Sequence, residues 1–115
     1  MTTKQKQMKK ITERAMKEAN KLFQIITPND YFKGHKEIRL CDLIEELNPS
    51  STNREEMTED DEKKLVSRFI ATEYSKRYMT KARTEQERNL QIISCQYLIY
   101  KNFDEHFSYL REPIS

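Results

Sequence analysis

The chain has 115 residues, 36% of them hydrophobic and 35% charged, with one Gly, three Pro and a net charge of +2. This length is typical of one domain, which buries roughly two-thirds of the surface that its unfolded chain exposes. Gly and Pro are too few for a β architecture, in which they recur at each hairpin. The sequence therefore predicts a single all-α domain over residues 1–115, a compact bundle of about four helices.

The small net charge conceals a separation of sign along the chain. Residues 1–41 contain ten basic and four acidic side chains, a balance of +6. Residues 42–62 contain nine acidic side chains against Arg54 alone, a balance of −8. Residues 63–115 contain ten basic and six acidic side chains, a balance of +4. Such segregation bears on binding partners more than the total charge does.

The first third of the chain predicts a long helix followed by a short turn. Apolar or small residues recur at steps of three and four, which predicts a helix over residues 3–26. Thr27 and Pro28 suit the cap and first position of a helical turn at 28–33. Gly34 would end that turn, because it adopts left-handed geometry at little cost. The helical stripe consists of Met8, Ile11, Ala15, Ala19, Leu22 and Ile26.

A second, shorter helix is predicted over residues 37–47, with Leu40, Leu43, Ile44 and Leu47 facing inward. Ile38 and Leu40 also alternate with polar residues, so a short strand at 37–41 is the competing interpretation. Residues 48–57 have the composition of a flexible linker within the domain.

Residues 58–110 predict the two largest helices, at 58–82 and 84–110. Thr58 and Thr84 are each followed by acidic residues in the first turn, which is the pattern of a helix cap. One continuous helix of about fifty residues is the alternative, but a domain of this size could hardly cover it. The second helix carries a wide face of Leu, Ile, Tyr and Phe side chains.

Two observations bear on location. No continuous apolar run follows the basic N-terminus as it would in a signal peptide, and none reaches the ~20 residues that cross a bilayer. Cys41 and Cys95 are the only cysteines, and a pair of reduced thiols is the simplest interpretation. We expect a cytoplasmic protein without membrane contact.

The sequence contains no recognisable motif for catalysis or for metal binding. His35, His106, Cys41 and Cys95 are all the His and Cys in the chain, and their spacings match no zinc motif. We expect Cys95 in the core, Cys41 half-buried and both histidines on the surface. A single Gly cannot form a phosphate-binding loop. The sequence therefore predicts a non-enzymatic protein with no metal and no cofactor; an enzyme completed by a partner chain is a weaker alternative.

Clustered positive charge points to nucleic acid. The first predicted helix is rich in lysine, and residues 76–83 contain four cations and no acid, close to Tyr74 and Tyr78. Such clusters contact phosphates, and neighbouring aromatic rings can stack on unpaired bases. The ordinary role of a Lys-rich helix is a solvated face. The residues predicted to bind nucleic acid are Lys9, Lys10, Arg14, Lys17, Lys76, Arg77, Lys81 and Arg83.

The alternative function is that of a protein-binding regulator or inhibitor. The acidic segment 42–62 could dock on a basic partner or mimic nucleic acid, and the aromatic face of 84–110 could bind a partner or a second copy of the chain. The same face would be core if the first helix covers it. The residues of this alternative are Glu55, Glu56, Asp60, Asp61, Tyr100, Phe103 and Phe107. The composition is also common in accessory proteins of AT-rich bacterial, phage and plasmid genomes.

Overall fold

The computed structural model describes residues 3–28, 30–31, 39–50, 53, 55–79 and 83–111, and these contain helices and no strand. The all-α prediction is therefore confirmed. None of the described helices has both the length and the apolar character that crossing a membrane requires. The helices are α1 (Thr3–Ile25), α2 (Leu40–Leu47), α3 (Glu59–Tyr78), α4 (Glu85–Lys101), α5 (Phe103–His106) and a 3-10 turn (Ser108–Arg111).

Helices α3 and α4 form an antiparallel hairpin at the centre of the fold. At one end, the Tyr100 hydroxyl donates a hydrogen bond to Asp60 at 2.5 Å. At the other end, Lys76 and Arg88 line the same cleft. The start of α3 thus lies beside the end of α4, as short connections between neighbouring helices require.

Helix α1 packs along α3 in the same direction. Ile11 and Leu65 line one groove near the start of both helices, and the ring of Phe23 meets that of Tyr74 at 4.7 Å near their ends. The side of α1 that faces α3 and α4 is the predicted stripe. Its members Ala15, Ala19 and Leu22 are buried, together with Met16 and Phe23, whereas Ile11 is half-buried and Ile26, one residue beyond the end of α1, is 37% exposed.

Two aromatic residues near the C-terminus complete the main core. Phe103 and Phe107 are both 0% exposed and pack with Ile70, Leu98 and Ile99. Since truncating a buried Phe typically costs about 3–5 kcal/mol, these rings are major contributors to stability.

Helix α2 covers a second, smaller cluster on the other side of α4. Leu43 and Leu47 are buried against Tyr97, and the ring of Tyr31 lies 5.2 Å from that of Tyr97. Pro28, Asp30 and Tyr31 are helical, with the Asp30 amide donating to the Thr27 hydroxyl at 3.1 Å. These residues agree with the turn predicted at 28–33, whose remaining part, together with Gly34, lies outside the described residues.

The predicted break between the two large helices is confirmed, and its chemistry is a variant of a capping box. The Thr84 side chain accepts a hydrogen bond from the Glu87 amide at 3.1 Å. The Glu87 carboxylate reaches back to the amide of Arg83 at 2.9 Å, one residue earlier than in the standard box. Thr58 caps α3 in the same way, accepting from the Asp61 amide at 3.1 Å.

Two predicted helix boundaries are corrected. Arg39 is extended (φ −83°, ψ 151°), so α2 begins at Leu40; residues 37–38, where the helix or the alternative strand was to start, lie outside the described residues. Helix α3 ends at Tyr78 because Met79 has left helical geometry (φ −121°, ψ 69°). Residues 80–82 also lie outside the described part.

The helix predicted over 84–110 is wrong as one continuous element. It stops at Lys101, and Asn102 (φ −107°, ψ 16°) separates it from α5. The side-chain amide of Asn102 donates to the carbonyl of Leu98 at 2.9 Å. An Asn side chain competes in this way with the regular backbone pattern, which explains the interruption.

The segment predicted as a flexible linker, 48–57, is anchored near its start. The amide and the hydroxyl of Ser50 donate to the carboxylate of Asp61 at 3.0 and 2.7 Å. Asn53 forms a local turn by accepting from the Glu55 amide at 3.1 Å. This segment is therefore tied directly to the first turn of α3.

Candidate nucleic-acid interface

The lysines of α1 lie on the face opposite the core. Positions 6, 10, 17 and 21 are separated by one or two helical turns and share one side of the helix. All four are exposed, and among the described residues only Lys21 has an ion-pair partner, Glu18 at 3.5 Å. We call Lys6, Lys10, Lys17 and Lys21 the lysine stripe. The predicted residue Lys9 is also exposed, on the flank of this stripe.

Arg14 differs from its lysine neighbours because it packs on the protein. Its guanidinium lies 4.1 Å from the centre of the Tyr109 ring. Burial raises the pKa of Tyr109. A cation over an aromatic face contributes about 0.5–1 kcal/mol at exposed sites, so Arg14 holds the C-terminal turn against α1. Its predicted role in binding phosphate therefore competes with a structural one.

The second predicted cluster lies where α3 ends and α4 begins. Lys76, Arg77 and Arg83 are exposed there, and Lys81 falls outside the described residues. Arg88, one turn into α4, joins them because the hairpin brings it to the same cleft as Lys76. We call Lys76, Arg77, Arg83 and Arg88 the basic end.

Sequence reasoning missed Arg88, since it assigned the cluster by distance along the chain. The predicted hairpin could have indicated Arg88, because two antiparallel helices joined near residue 81 bring residues 76 and 88 to the same level. Of the basic end, Lys76 is paired with Glu73 at 3.5 Å, whereas the three arginines form no ion pair within the described chain.

One aromatic ring at this end is available to a ligand. Tyr78 is 56% exposed and lies against Tyr74, with 4.8 Å between ring centres. Tyr74 itself is buried against Phe23. Of the two rings that the sequence suggested for stacking, only Tyr78 is therefore accessible to a ligand. An exposed ring that is held on one face by a neighbour is a suitable platform for a base.

The lysine stripe runs toward the basic end. Helices α1 and α3 are parallel, and the contact of Phe23 with Tyr74 brings the last turns of the two helices together. Lys21 and Arg77 therefore belong to the same pole of the molecule. The stripe and the basic end both consist of exposed cations, of which only Lys21 and Lys76 form an ion pair with a described residue.

The opposite pole, which we call the acidic end, consists of the first turn of α3 with Glu46 and Asp104 beside it. Its cations are neutralised in place: Lys64 by Asp60 at 3.0 Å, Lys63 by Asp104 at 3.6 Å and Lys101 by Glu46 at 3.5 Å. Lys63 and Lys64 are also partly buried. These cations contribute to packing more than to an external field.

The acidic end also contains the strongest polar contacts of the fold. Asp61 is only 2% exposed, and the hydrogen bonds from Ser50 lower its pKa. Asp60 accepts from Tyr100, which lowers the pKa of Asp60. Burial, with the same hydrogen bond, raises the pKa of Tyr100 to about 12.

The residues predicted for a protein partner are therefore corrected in part. Phe103 and Phe107 are wholly buried by the fold itself, as is nearly all of Asp61, so none of the three can form a docking surface. On the aromatic face that could have held a second copy, Phe103 and Phe107 pack in the main core with α1 and α3, and Tyr97 is buried against α2. Asp60 and Tyr100 are joined to each other, and Glu55 and Glu56 remain exposed.

Within the described part of the chain, the two thiols and the imidazole of His106 do not form a common site. Cys95 is a core residue, and burial raises its pKa to about 12, which keeps it in the unreactive thiol form. Cys41 is exposed instead of half-buried, and His106 lies partly buried between Glu18 and Glu105, each at 3.7 Å. His35 lies outside the described residues, among which no group of His, Cys, Asp and Glu has the arrangement of a metal site.

Comparison with known protein families, with curated proteins and with solved structures finds no match to this chain. Function must therefore be argued from the site. The surface of unpaired cations with one exposed ring can bind a polyanion, and no arrangement of a nucleophile with a base stands beside it in the described residues.

Proposed function

We propose that this protein is a small, non-enzymatic regulatory or accessory protein that binds nucleic acid through the lysine stripe and the basic end. The observation that carries the proposal is the difference in pairing between the two poles. Cations at the acidic end are held by carboxylates, whereas Arg77, Arg83 and Arg88 form no ion pair with any residue that the structure describes. Unpaired surface cations are the groups that phosphates engage, with release of bound counterions.

Exposed Tyr78 extends the proposal toward unpaired bases. It lies between cations at the end of α3, and stacking of a base on an aromatic ring contributes about 1–3 kcal/mol in single-strand complexes. The start of α4 lacks the glycine-bearing tight turn of a helix-turn-helix, so insertion of a recognition helix is not part of the proposal.

The test is the change in fluorescence anisotropy of labelled single- and double-stranded oligonucleotides on addition of the protein at low salt. A variant with Lys76, Arg77 and Arg83 changed to Gln should bind at least about tenfold more weakly, because every phosphate that these cations neutralise adds favourable counterion release. Arg39→Gln is the matched control, since Arg39 is equally exposed but paired with Asp42 at 3.3 Å on α2. Absence of binding by the unaltered protein at low salt would refute the proposal.

A second candidate function is a regulator that docks on a basic protein through the acidic segment. The observation that favours it is that Glu55, Glu56 and Glu59 are exposed and form no ion pair with the described residues. Binding to a basic partner would then be weakened by changing these three to Gln and left unchanged by the basic-end variant. The buried aromatic residues have no part in this surface.

The setting of either function is also a proposal. Both cysteines are free thiols, which suits a reducing compartment, and we place the protein in the cytoplasm. A role in a phage or plasmid system is consistent with the Lys- and Ile-rich composition. Formation of a homodimer would require a surface other than the aromatic face of α4; analytical ultracentrifugation tests it.

A further inference from the structure

An apolar groove lies between α1 and α3 at the surface of the fold. Its volume is about 280 Å³, and Thr12 is the only polar residue among the described side chains that line it. Sites for small molecules measure about 300–1,000 Å³ and present several polar groups that orient the ligand. This groove is smaller and lacks such groups, so it suits the apolar side chains of a protein better than a small polar molecule.

Two large exposed side chains of α3 line this groove. Leu65 and Phe69 are one helical turn apart and are 39% and 49% exposed. Ile11, Val66 and Leu110 line the groove with them and are half-buried. The ring of Phe69 meets no other aromatic ring and no cation among the described residues. Single exposed apolar residues are ordinary, whereas a contiguous group of them is typical of an interaction site.

Charged residues flank the exposed apolar pair along α3. The first turn of the helix is acidic and the last turn is basic. One side of the helix therefore carries an acid, two apolar residues and a base, at spacings of three, four and seven residues, which are close to whole turns. We call this set the α3 face; it consists of Glu62, Leu65, Phe69 and Lys76, all of them exposed. Glu62 forms no ion pair with a described residue, and Lys76 has only its exposed contact with Glu73.

A second copy of the chain is complementary to this face. When two α3 helices meet in antiparallel orientation about a two-fold axis near Phe69, Glu62 of each copy faces Lys76 of the other, because both positions are seven residues from the axis. The apolar side chains then meet at the centre, beside the groove of each copy. A parallel arrangement would instead bring like charges together. Complementary charge thus selects one orientation, and the symmetry uses every contact twice.

We propose that the protein forms a homodimer through the α3 face and the adjoining groove. A contact along the whole of α3, which has 20 residues and is about 30 Å long, buries on the order of 1,000 Å² in total. That area is near the lower limit for a specific interface, so the dimer should exchange with the monomer. The inference goes beyond the proposed function, since self-association does not require nucleic acid.

The experiment is sedimentation equilibrium of the full chain from micromolar to millimolar concentration, without nucleic acid. The apparent mass should rise with concentration from that of one chain to that of two. Phe69→Ser should weaken dimerisation about tenfold or more, because it removes a ring at two symmetric positions. Leu90→Ser is the matched control, since Leu90 is 37% exposed on α4 and does not line the groove. It should leave the dissociation constant within about twofold of that of the unaltered protein.

Charge reversal tests the orientation of the two copies. Glu62→Lys and Lys76→Glu should each weaken the dimer about tenfold, because each brings like charges together at two symmetric contacts. A chain that carries both changes should regain an affinity within about threefold of that of the unaltered protein. Positions 62 and 76 are about 21 Å apart along the helix, so this rescue cannot arise within one chain. Circular dichroism of each variant reports whether it is folded.

Lys76 also belongs to the basic end, so an oligonucleotide would compete with the second copy for it. Omitting nucleic acid keeps the two tests separate, because a protein that stays monomeric can still bind oligonucleotides, and a dimer can fail to bind them. A monomer at every concentration would overturn the proposal. Equal weakening by Phe69→Ser and Leu90→Ser would also overturn it, as would the absence of rescue in the combined charge variant.

Discussion

The two ends of the α3–α4 hairpin use charge in opposite ways. At the acidic end, Asp61 is bound by Ser50 and Thr58, Asp60 by Tyr100 and Lys64, and the neighbouring lysines by carboxylates. At the basic end, the arginines are exposed and unpaired among the described residues. Charges that the fold satisfies stabilise it, whereas charges that it leaves unpaired are available to a ligand. Stability should therefore depend on the acidic end and binding on the basic end.

The largest expected effect is on stability, at the buried ring nearest the acidic end. Phe103→Ala should lower the free energy of unfolding by about 3–5 kcal/mol, because it leaves a cavity where a fully buried ring packed. Tyr78→Ala, at the exposed aromatic position of the basic end, should cost under about 1 kcal/mol. Urea unfolding monitored by circular dichroism measures both. An equal decrease in the free energy of unfolding in both variants would contradict the claim that stability depends on the acidic end and not on the basic end.

The next effect concerns Asp61. Its pKa is lowered by the hydrogen bonds from Ser50, so the contact favours the charged carboxylate. The contribution to stability should be fully present above the ordinary Asp pKa of 3.8 and disappear as the pH falls through the lower pKa of the folded state. Asp61→Asn should lower Tm at pH 7 and reduce the drop in Tm between pH 5 and pH 2.

Its control is Glu59→Gln, an exposed acid in the same helical turn that lacks these hydrogen bonds. That change should leave Tm and its dependence on pH nearly as they are. A similar shift in both variants would show that the net charge of the turn, and not the Ser50 contact, determines the acid sensitivity.

A smaller effect is expected for Tyr100. Its pKa is raised to about 12 by burial and by Asp60, so the neutral phenol is favoured in the folded state. Stability from this contact should be complete below pH 10 and decline as the pH rises toward 12. Tyr100→Phe should cost under about 1 kcal/mol at pH 7, because Asp60 is half exposed and solvent weakens the interaction.

The absorbance of ionised tyrosine near alkaline pH tests this directly. Burial raises the pKa of Tyr31, Tyr74 and Tyr109 as well as that of Tyr100, so several tyrosines should titrate above pH 10, and Tyr100→Phe should remove one of them. An unchanged titration curve in Tyr100→Phe would contradict the assignment.

The smallest change in stability is expected from the basic end. Arg77→Gln and Arg83→Gln should each alter the free energy of unfolding by no more than about 0.5 kcal/mol, because neither side chain is paired in the described structure. Chemical denaturation of the two variants measures this. A destabilisation near 2 kcal/mol in either would show that the arginine has a structural role.

Much of the fold followed from patterns within single helices. The stripe of α1, the Thr caps of α3 and α4 and the break at Thr84 depend on spacing and on local hydrogen bonds, which the sequence displays. The interruption at Asn102 did not follow, because Phe103 and Phe107 continue the apolar pattern across it. The spacing of apolar residues continues across Asn102, whereas the helical backbone is interrupted there. The only sign of the interruption is the Asn side chain, which bonds to the backbone.

The candidate site was less predictable because it depends on which residues meet across helices. Arg88 joins Lys76 only through the hairpin, which no pattern within a single helix displays. The acidic segment was expected to be a surface, yet Asp61 satisfies the backbone of a preceding loop. Burial and pairing, not charge by itself, separated the two ends.

The most direct test that the basic end is the binding surface is the salt dependence of oligonucleotide binding. It compares the unaltered protein, the basic-end variant (Lys76, Arg77 and Arg83 to Gln) and the Arg39→Gln control. The logarithm of the affinity should fall linearly with the logarithm of the salt concentration. The basic-end variant should show a slope smaller by roughly 0.7–0.9 for each phosphate that it no longer neutralises, and the control should keep the slope of the unaltered protein. Equal slopes in all three proteins would contradict the claim.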